Sequence, residues 1–95
     1  MNWDSLPVNF EAVMPDDALA PHYPRGLVFV WSSTKPPRAG SVVLVRDGHG
    51  RPHVREYRPG IEPGRWTAAA TNRAYPALDE QSATIMATAR YGELP

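Results

Sequence analysis

Proline is the residue that most limits this chain. Eleven prolines and seven glycines interrupt 95 residues, and each proline removes a backbone donor and clashes with the preceding helical turn. Long helices are excluded, and short strands fit between the breaks. Residues 26–31, 41–46, 53–58, 66–71 and 83–89 are the predicted strands, the first two dominated by β-branched and aromatic side chains. Asp47-Gly48 and Gly50 supply the positive-φ positions of a hairpin or slightly longer bulged turn, and "KPPRAG" punctuates the junction before it. The segment "DEQSATIMATARY" could begin a helix, since alanine and methionine are good helix formers. Its β-branched Thr84, Ile85 and Thr88, in a mostly-strand context, favour a strand instead. Small and larger apolar residues alternate from Ala83 to Tyr91 near the C-terminus, so this strand is expected at a sheet edge, where it would invite pairing with a second copy. The expected fold is mainly β, built of short antiparallel strands and turns.

A chain this size makes one domain that buries roughly 60–65% of the surface exposed when unfolded. Ten basic and ten acidic side chains cancel, leaving no overall positive field to gather nucleic acid. The absence of cysteine excludes disulfides, thiolate metal sites and a cysteine nucleophile. The opening "MNWDSLPVNF" carries acid and no basic stretch before an apolar core, and nowhere do about 18 apolar residues run together. The expectation is a soluble, cytoplasmic protein with no membrane contact.

The stretch "DDALAP" (16–21) is followed by "RGLVFV", "PRAGSVVLV", the "DGHG" turn, "HVREYR" and later "AAATNRAYPAL". In this order the pieces resemble the regulatory domain of LexA-like and phage-repressor-like proteins, self-cleaving serine peptidases whose fold is shared with signal peptidases. There, a G-D-S-M-x-P motif precedes a glycine and a strand of the "DLVLV" kind, a P-x-x-G turn leads to a second strand and a hairpin, and a further strand carries a lysine in a V-K-R context. The likeness covers residues 13–91, with 1–12 as a lead-in segment and 92–95 as a tail. It implies a β-structure of the LexA and signal-peptidase type. It also implies a serine nucleophile whose proton is taken by a lysine kept neutral by burial.

Both catalytic positions depart from that pattern. Ala18 stands at the nucleophile position and has no hydroxyl; Arg55 stands at the base position, and a guanidinium stays protonated at any relevant pH. Lys35, the only lysine, lies in the loop "TKPPRAG". Arg55 admits two readings. It is a charged strand residue with its head in water, or it lies beside Ala18 in the remnant of an active site. In the second case it needs a carboxylate, because a buried unpaired charge is costly, and Asp16 and Asp17 are the candidates. Strand alternation puts His53, Arg55 and Tyr57 on one face, with Val54, Glu56 and Arg58 on the other.

Other chemistry finds little support in the residues. His22, His49 and His53 lack H-x-x-H or H-E-x-x-H spacing, so no metal is expected. Ser5, Ser32, Ser33, Ser41 and Ser82 lack a G-x-S-x-G setting, and no cofactor is implied. Trp3, Trp31 and Trp66 read as core or interface anchors with their indole N–H groups satisfied at an edge. No helix-turn-helix can be placed in the residues before the matching region, so DNA would be reached only through a helix-turn-helix domain absent from this chain.

The resemblance therefore implies a non-enzymatic, homodimeric regulatory domain of a phage-type repressor. Two alternatives stay open: a self-cleaving peptidase domain inactivated by substitution at Ala18, and a stand-alone interaction module that binds a protein through an exposed strand edge.

Overall fold

Strands account for most of the regular structure in the computed structural model, which describes residues 3–93, with side chains through Arg90. The strands are β1 (Asn9–Val13), β2 (Val28–Ser32), β3 (Val42–Asp47), β4 (Pro52–Pro59), β5 (Trp66–Ala69), β6 (Leu78–Asp79) and β7 (Ala83–Glu93), after a short 3-10 turn at Trp3–Ser5. They form one antiparallel sheet in the order β1-β2-β7-β3-β4-β5-β6. Among the described residues no helix is long and apolar enough to cross a membrane.

The five expected strands all form, with ends moved by turn chemistry. β2 starts at Val28 because Gly26, at φ +89°, still belongs to a turn that the Leu27 N–H closes on the Pro24 carbonyl at 3.1 Å. β5 stops at Ala69, since Thr71 and Asn72 bond to Ala18 in another part of the chain. β1 and β6 were not expected. β1 lies mostly in the lead-in segment, and its pairing with β2 makes those residues part of the sheet. Likewise Gly92 and Glu93, expected in the tail, continue the ladder opposite Phe29 and Val28.

The expectation that Ala83 to Tyr91 forms an edge strand is overturned. β7 lies between β2 and β3 and pairs with both; the edges are β1 and β6. Its register slips once against each neighbour, between Val30 and Trp31 of β2 and between Leu44 and Val45 of β3. Such bulges bend and twist a strand, which lets one long strand follow two partners.

Four successive buried residues in β3, Val42, Val43, Leu44 and Val45, mark a strand covered on both faces. Val42 and Leu44 join the larger cluster of Met14, Leu19, Leu27, Phe29, Trp31 and Val54. Val43 and Val45 meet Ala68, with Tyr57, Trp66 and Ile85 around them. Tilted ring contacts run from Tyr23 to Phe29 at 5.5 Å and from Phe29 to Trp31 at 5.1 Å. Trp3 donates its indole N–H to the Gly50 carbonyl at 2.9 Å. Trp31 departs from the expectation: it is fully buried in the apolar cluster, and its N–H has no partner.

One carboxylate organises the β3–β4 hairpin. Asp47 Oδ1 accepts the His49 and Arg51 N–H groups at 2.8 and 3.0 Å, and its Oδ2 lies 2.7 Å from His53 Nε2. Of the turn glycines only Gly50 adopts positive φ, at +78°. The hydrogen bond with His53, then that from the Arg51 amide, holds the Asp47 carboxyl well below the usual carboxylate range. A carboxyl held low in the folded state binds its proton less readily there than in the unfolded chain. It therefore adds stability above the ordinary carboxylate value of about 4, and that contribution is lost as pH falls toward the folded value. Denaturant melts between about pH 5 and 2 are expected to show a shallower loss of stability for Asp47→Asn than for the parent; an unchanged acid limb would assign the loss to other carboxylates.

Candidate functional site

The turn between β1 and β2 is closed at its base by two backbone bonds, Met14 N–H to the Leu27 carbonyl at 2.7 Å and Gly26 N–H to the Met14 carbonyl at 3.0 Å. Within it, Asp16 Oδ1 accepts the Ala18 N–H at 3.0 Å, a local turn that short acidic side chains favour. Ala18 is completely buried. Its carbonyl accepts the Asn72 N–H at 3.0 Å and the Thr71 hydroxyl at 3.3 Å. Asn72 also donates its side-chain amide to the Asp17 carbonyl at 3.4 Å, and Tyr75 Oη accepts the Asp17 N–H at 3.4 Å. The late segment "TNRAY" thus lies against "DDA".

Arg55 enters the same cluster from β4. β5 pairs only with Glu56 to Pro59, and at Arg55 the side chain turns toward its own strand, donating from Nη1 to the Val54 carbonyl at 2.8 Å. Nη1 also lies 3.7 Å from Asp16 Oδ2, and the guanidinium carbon lies 5.4 Å from the centre of the Tyr75 ring. Arg55 is 2% exposed, which overturns the reading of a strand residue with its head in water. Burial pulls the guanidinium below its ordinary value, while Asp16 and Tyr75 act in the opposite direction. Its Nε has no hydrogen-bond partner. Of the two candidate carboxylates, Asp16 is the partner. Asp17 faces the other way and pairs with Arg25 at 3.3 Å on the surface.

The cluster brings Ala18, Arg55 and Asp16 together, yet it contains no nucleophile bonded to a base. The Thr71 hydroxyl is spent on a carbonyl, and Lys35 is exposed in the loop after β2. Backbone groups occupy four of the five serine hydroxyls: Ser33 donates to Pro7, Ser41 accepts from Arg38 and Ser82 accepts from Asp79, while Ser32 accepts from Thr34 and Lys35; Ser5 is exposed in the turn before β1. His53 is paired with Asp47, and His22 and His49 are exposed. An apolar groove of about 210 Å³ lies beside the cluster, lined by Val13, Pro15, Trp31, Pro52 and Val54 among others.

The sequence assigns no role to Thr71, Asn72 or Tyr75, although the asparagine and tyrosine belong to the late segment that the resemblance matches. The one signal for them is the matching order of "AAATNRAYPAL", which marks the segment without giving roles to its side chains. No protein-family model and no curated protein sequence matches this chain.

The Arg55–Asp16 pair has a measurable signature. Asn at position 16 can still accept the Ala18 N–H but carries no charge, so Asp16→Asn leaves a buried cation unbalanced and is expected to cost on the order of 3 kcal/mol. Asp16→Asn with Arg55→Met removes the cation as well and is expected to recover most of that loss in urea denaturation. A double variant no more stable than Asp16→Asn would show that the pair contributes no electrostatic coupling.

Proposed function

We propose that this domain is a non-catalytic regulatory and dimerisation module of the LexA-like, phage-repressor-like kind, derived from a serine peptidase. The observation that carries the reading is the bridge made by Asp16, with one oxygen on the Ala18 N–H at 3.0 Å and the other 3.7 Å from Arg55. The two positions that the resemblance assigns to nucleophile and base are joined through one carboxylate, which supports reading them as neighbours in a former site. A methyl group has no proton to give, and a guanidinium accepts none, so general-base activation is absent from this pair. The surroundings of Arg55 also favour an inactive lineage over a single inactivating substitution at Ala18. A serine-to-alanine change alone would leave a lysine at position 55, whereas the buried guanidinium here has a carboxylate, a carbonyl and a ring around it. In this reading the protein is cytoplasmic, uses no cofactor, and reaches DNA only through a helix-turn-helix domain outside this chain.

A second reading, a protein-interaction module, draws on β1. Among the described residues this strand is paired on one side only, and Val8 just before it and Val13 at its end are 58% and 56% exposed, so a partner strand could add to it. With β7 central, a dimer made by strand pairing would also have to use an edge such as β1.

Restoring chemistry separates these lineages. Ala18→Ser alone is expected to cleave no peptide supplied in trans. Ala18→Ser with Arg55→Lys rebuilds both partners and should exceed the single variant by roughly 10²–10⁴-fold, with a rate that rises with pH as the lysine loses its proton. Equal cleavage by the two variants would remove Arg55 from the base position and the inactive lineage with it. Association is tested separately. Light scattering at micromolar concentration is expected to give twice the chain mass, and a monomer at about 100 µM would exclude the dimerisation role.

A further inference from the structure

We infer that residues 71–75 form a latch over position 18, and that the latch opens as a local unit while the sheet stays folded. β5 ends at Ala69 and β6 begins at Leu78, so the segment between them has no ladder of its own. The Tyr75 ring packs against the larger apolar cluster, and the polar contacts that hold the segment down are mostly long. The Thr71 hydroxyl reaches the Ala18 carbonyl at 3.3 Å, the Asn72 amide side chain reaches the Asp17 carbonyl at 3.4 Å, and Tyr75 Oη takes the Asp17 N–H at 3.4 Å. Only the bond from Asn72 N–H to the Ala18 carbonyl, at 3.0 Å, has the ordinary length of a backbone hydrogen bond.

The segment also has internal bonds that would keep its shape once released. Asn72 Oδ1 accepts the Ala74 N–H at 2.9 Å, and the Asn72 carbonyl accepts the Tyr75 N–H at 3.1 Å. It can therefore move as one turn. Beneath it lie Ala18, fully buried, and Arg55, 2% exposed with an unpartnered Nε. The Tyr75 ring, 5.4 Å from the guanidinium, is part of the cover that keeps water from that cation. Releasing the turn lets the buried donors of Arg55 be solvated, which offsets part of the loss of the four contacts. Core strands have no such compensation, so the latch belongs to the low-stability end of the fold. Opening is set by these contacts and by the packing of Tyr75, whatever the ancestry of the chain.

The lack of any cysteine in the sequence makes the test direct. Ala18→Cys provides a single thiol beneath the latch, and its reaction with a small aromatic disulfide under native conditions reports opening. Adding Tyr75→Ala is expected to speed labelling by roughly tenfold or more, and Tyr75→Phe by less, with little dependence on low denaturant. Asp47→Asn, at the distant hairpin, is expected to leave the rate unchanged. Labelling that follows global stability in all these variants would overturn the latch. Hydrogen exchange on the unsubstituted chain covers the case in which cysteine at 18 disturbs folding: the Asp17 and Asn72 amides, both bonded across the latch, should open with a smaller denaturant slope than the amides of β3. An equal slope for both would also overturn it.

Discussion

With no α-helix among the described residues to lay across it, the sheet must be covered by its own curvature and by its loops. A sheet exposes apolar side chains on two faces, and β3 is buried at four consecutive positions, so cover is required on both sides of the same strand. The turn from Met14 to Leu27 supplies part of it, placing Met14, Ala18, Leu19 and Leu27 on the larger cluster. The position of Ala18 follows from that need. It is a covering residue, held by hydrogen bonds through its backbone on both sides.

Loops used as cover bring backbone polar groups into the interior, and each needs a partner. Asp16 meets the Ala18 N–H, Thr71 and Asn72 meet the Ala18 carbonyl, and Arg55 meets the carbonyl of Val54. The polar cluster and the apolar core are therefore one construction. Where satisfaction is incomplete, at Arg55 Nε and at the Trp31 indole, the interior retains donors with nothing to bond. The Tyr75 ring of the segment held by long contacts lies 5.4 Å from the guanidinium of Arg55.

Much of the sheet was legible because its strands are β-branched runs between prolines and glycines. β1 escaped notice because "NFEAV" turns only Phe10 and Ala12 partly inward while Asn9, Glu11 and Val13 stay exposed, too faint an apolar signal to mark a strand. β6 is two residues long. The central place of β7 could not be read, since its partners are fixed by pairing with distant strands and not by its own composition. Arg55 shows a similar limit. Its charge fits either a solvated head or a buried one paired with a carboxylate, and the burial that decides between them depends on Asp16 and Tyr75, both far from it in sequence. The choice between Asp16 and Asp17 was decided by the direction of a turn, which two adjacent acids do not encode.

The insertion of β7 between β2 and β3 has a bearing on how the chain is made. Until β7 is available, β1 and β2 form a lone hairpin, and β3 to β6 form a separate meander with no strand pairing to it. A two-stranded ribbon by itself is marginal in water, and the meander would present the open side of β3 to other chains. Synthesis therefore leaves the sheet in two pieces until β7 has cleared the ribosome exit tunnel. During that interval, nascent copies on one polysome are at risk of filling the gap with each other's strands.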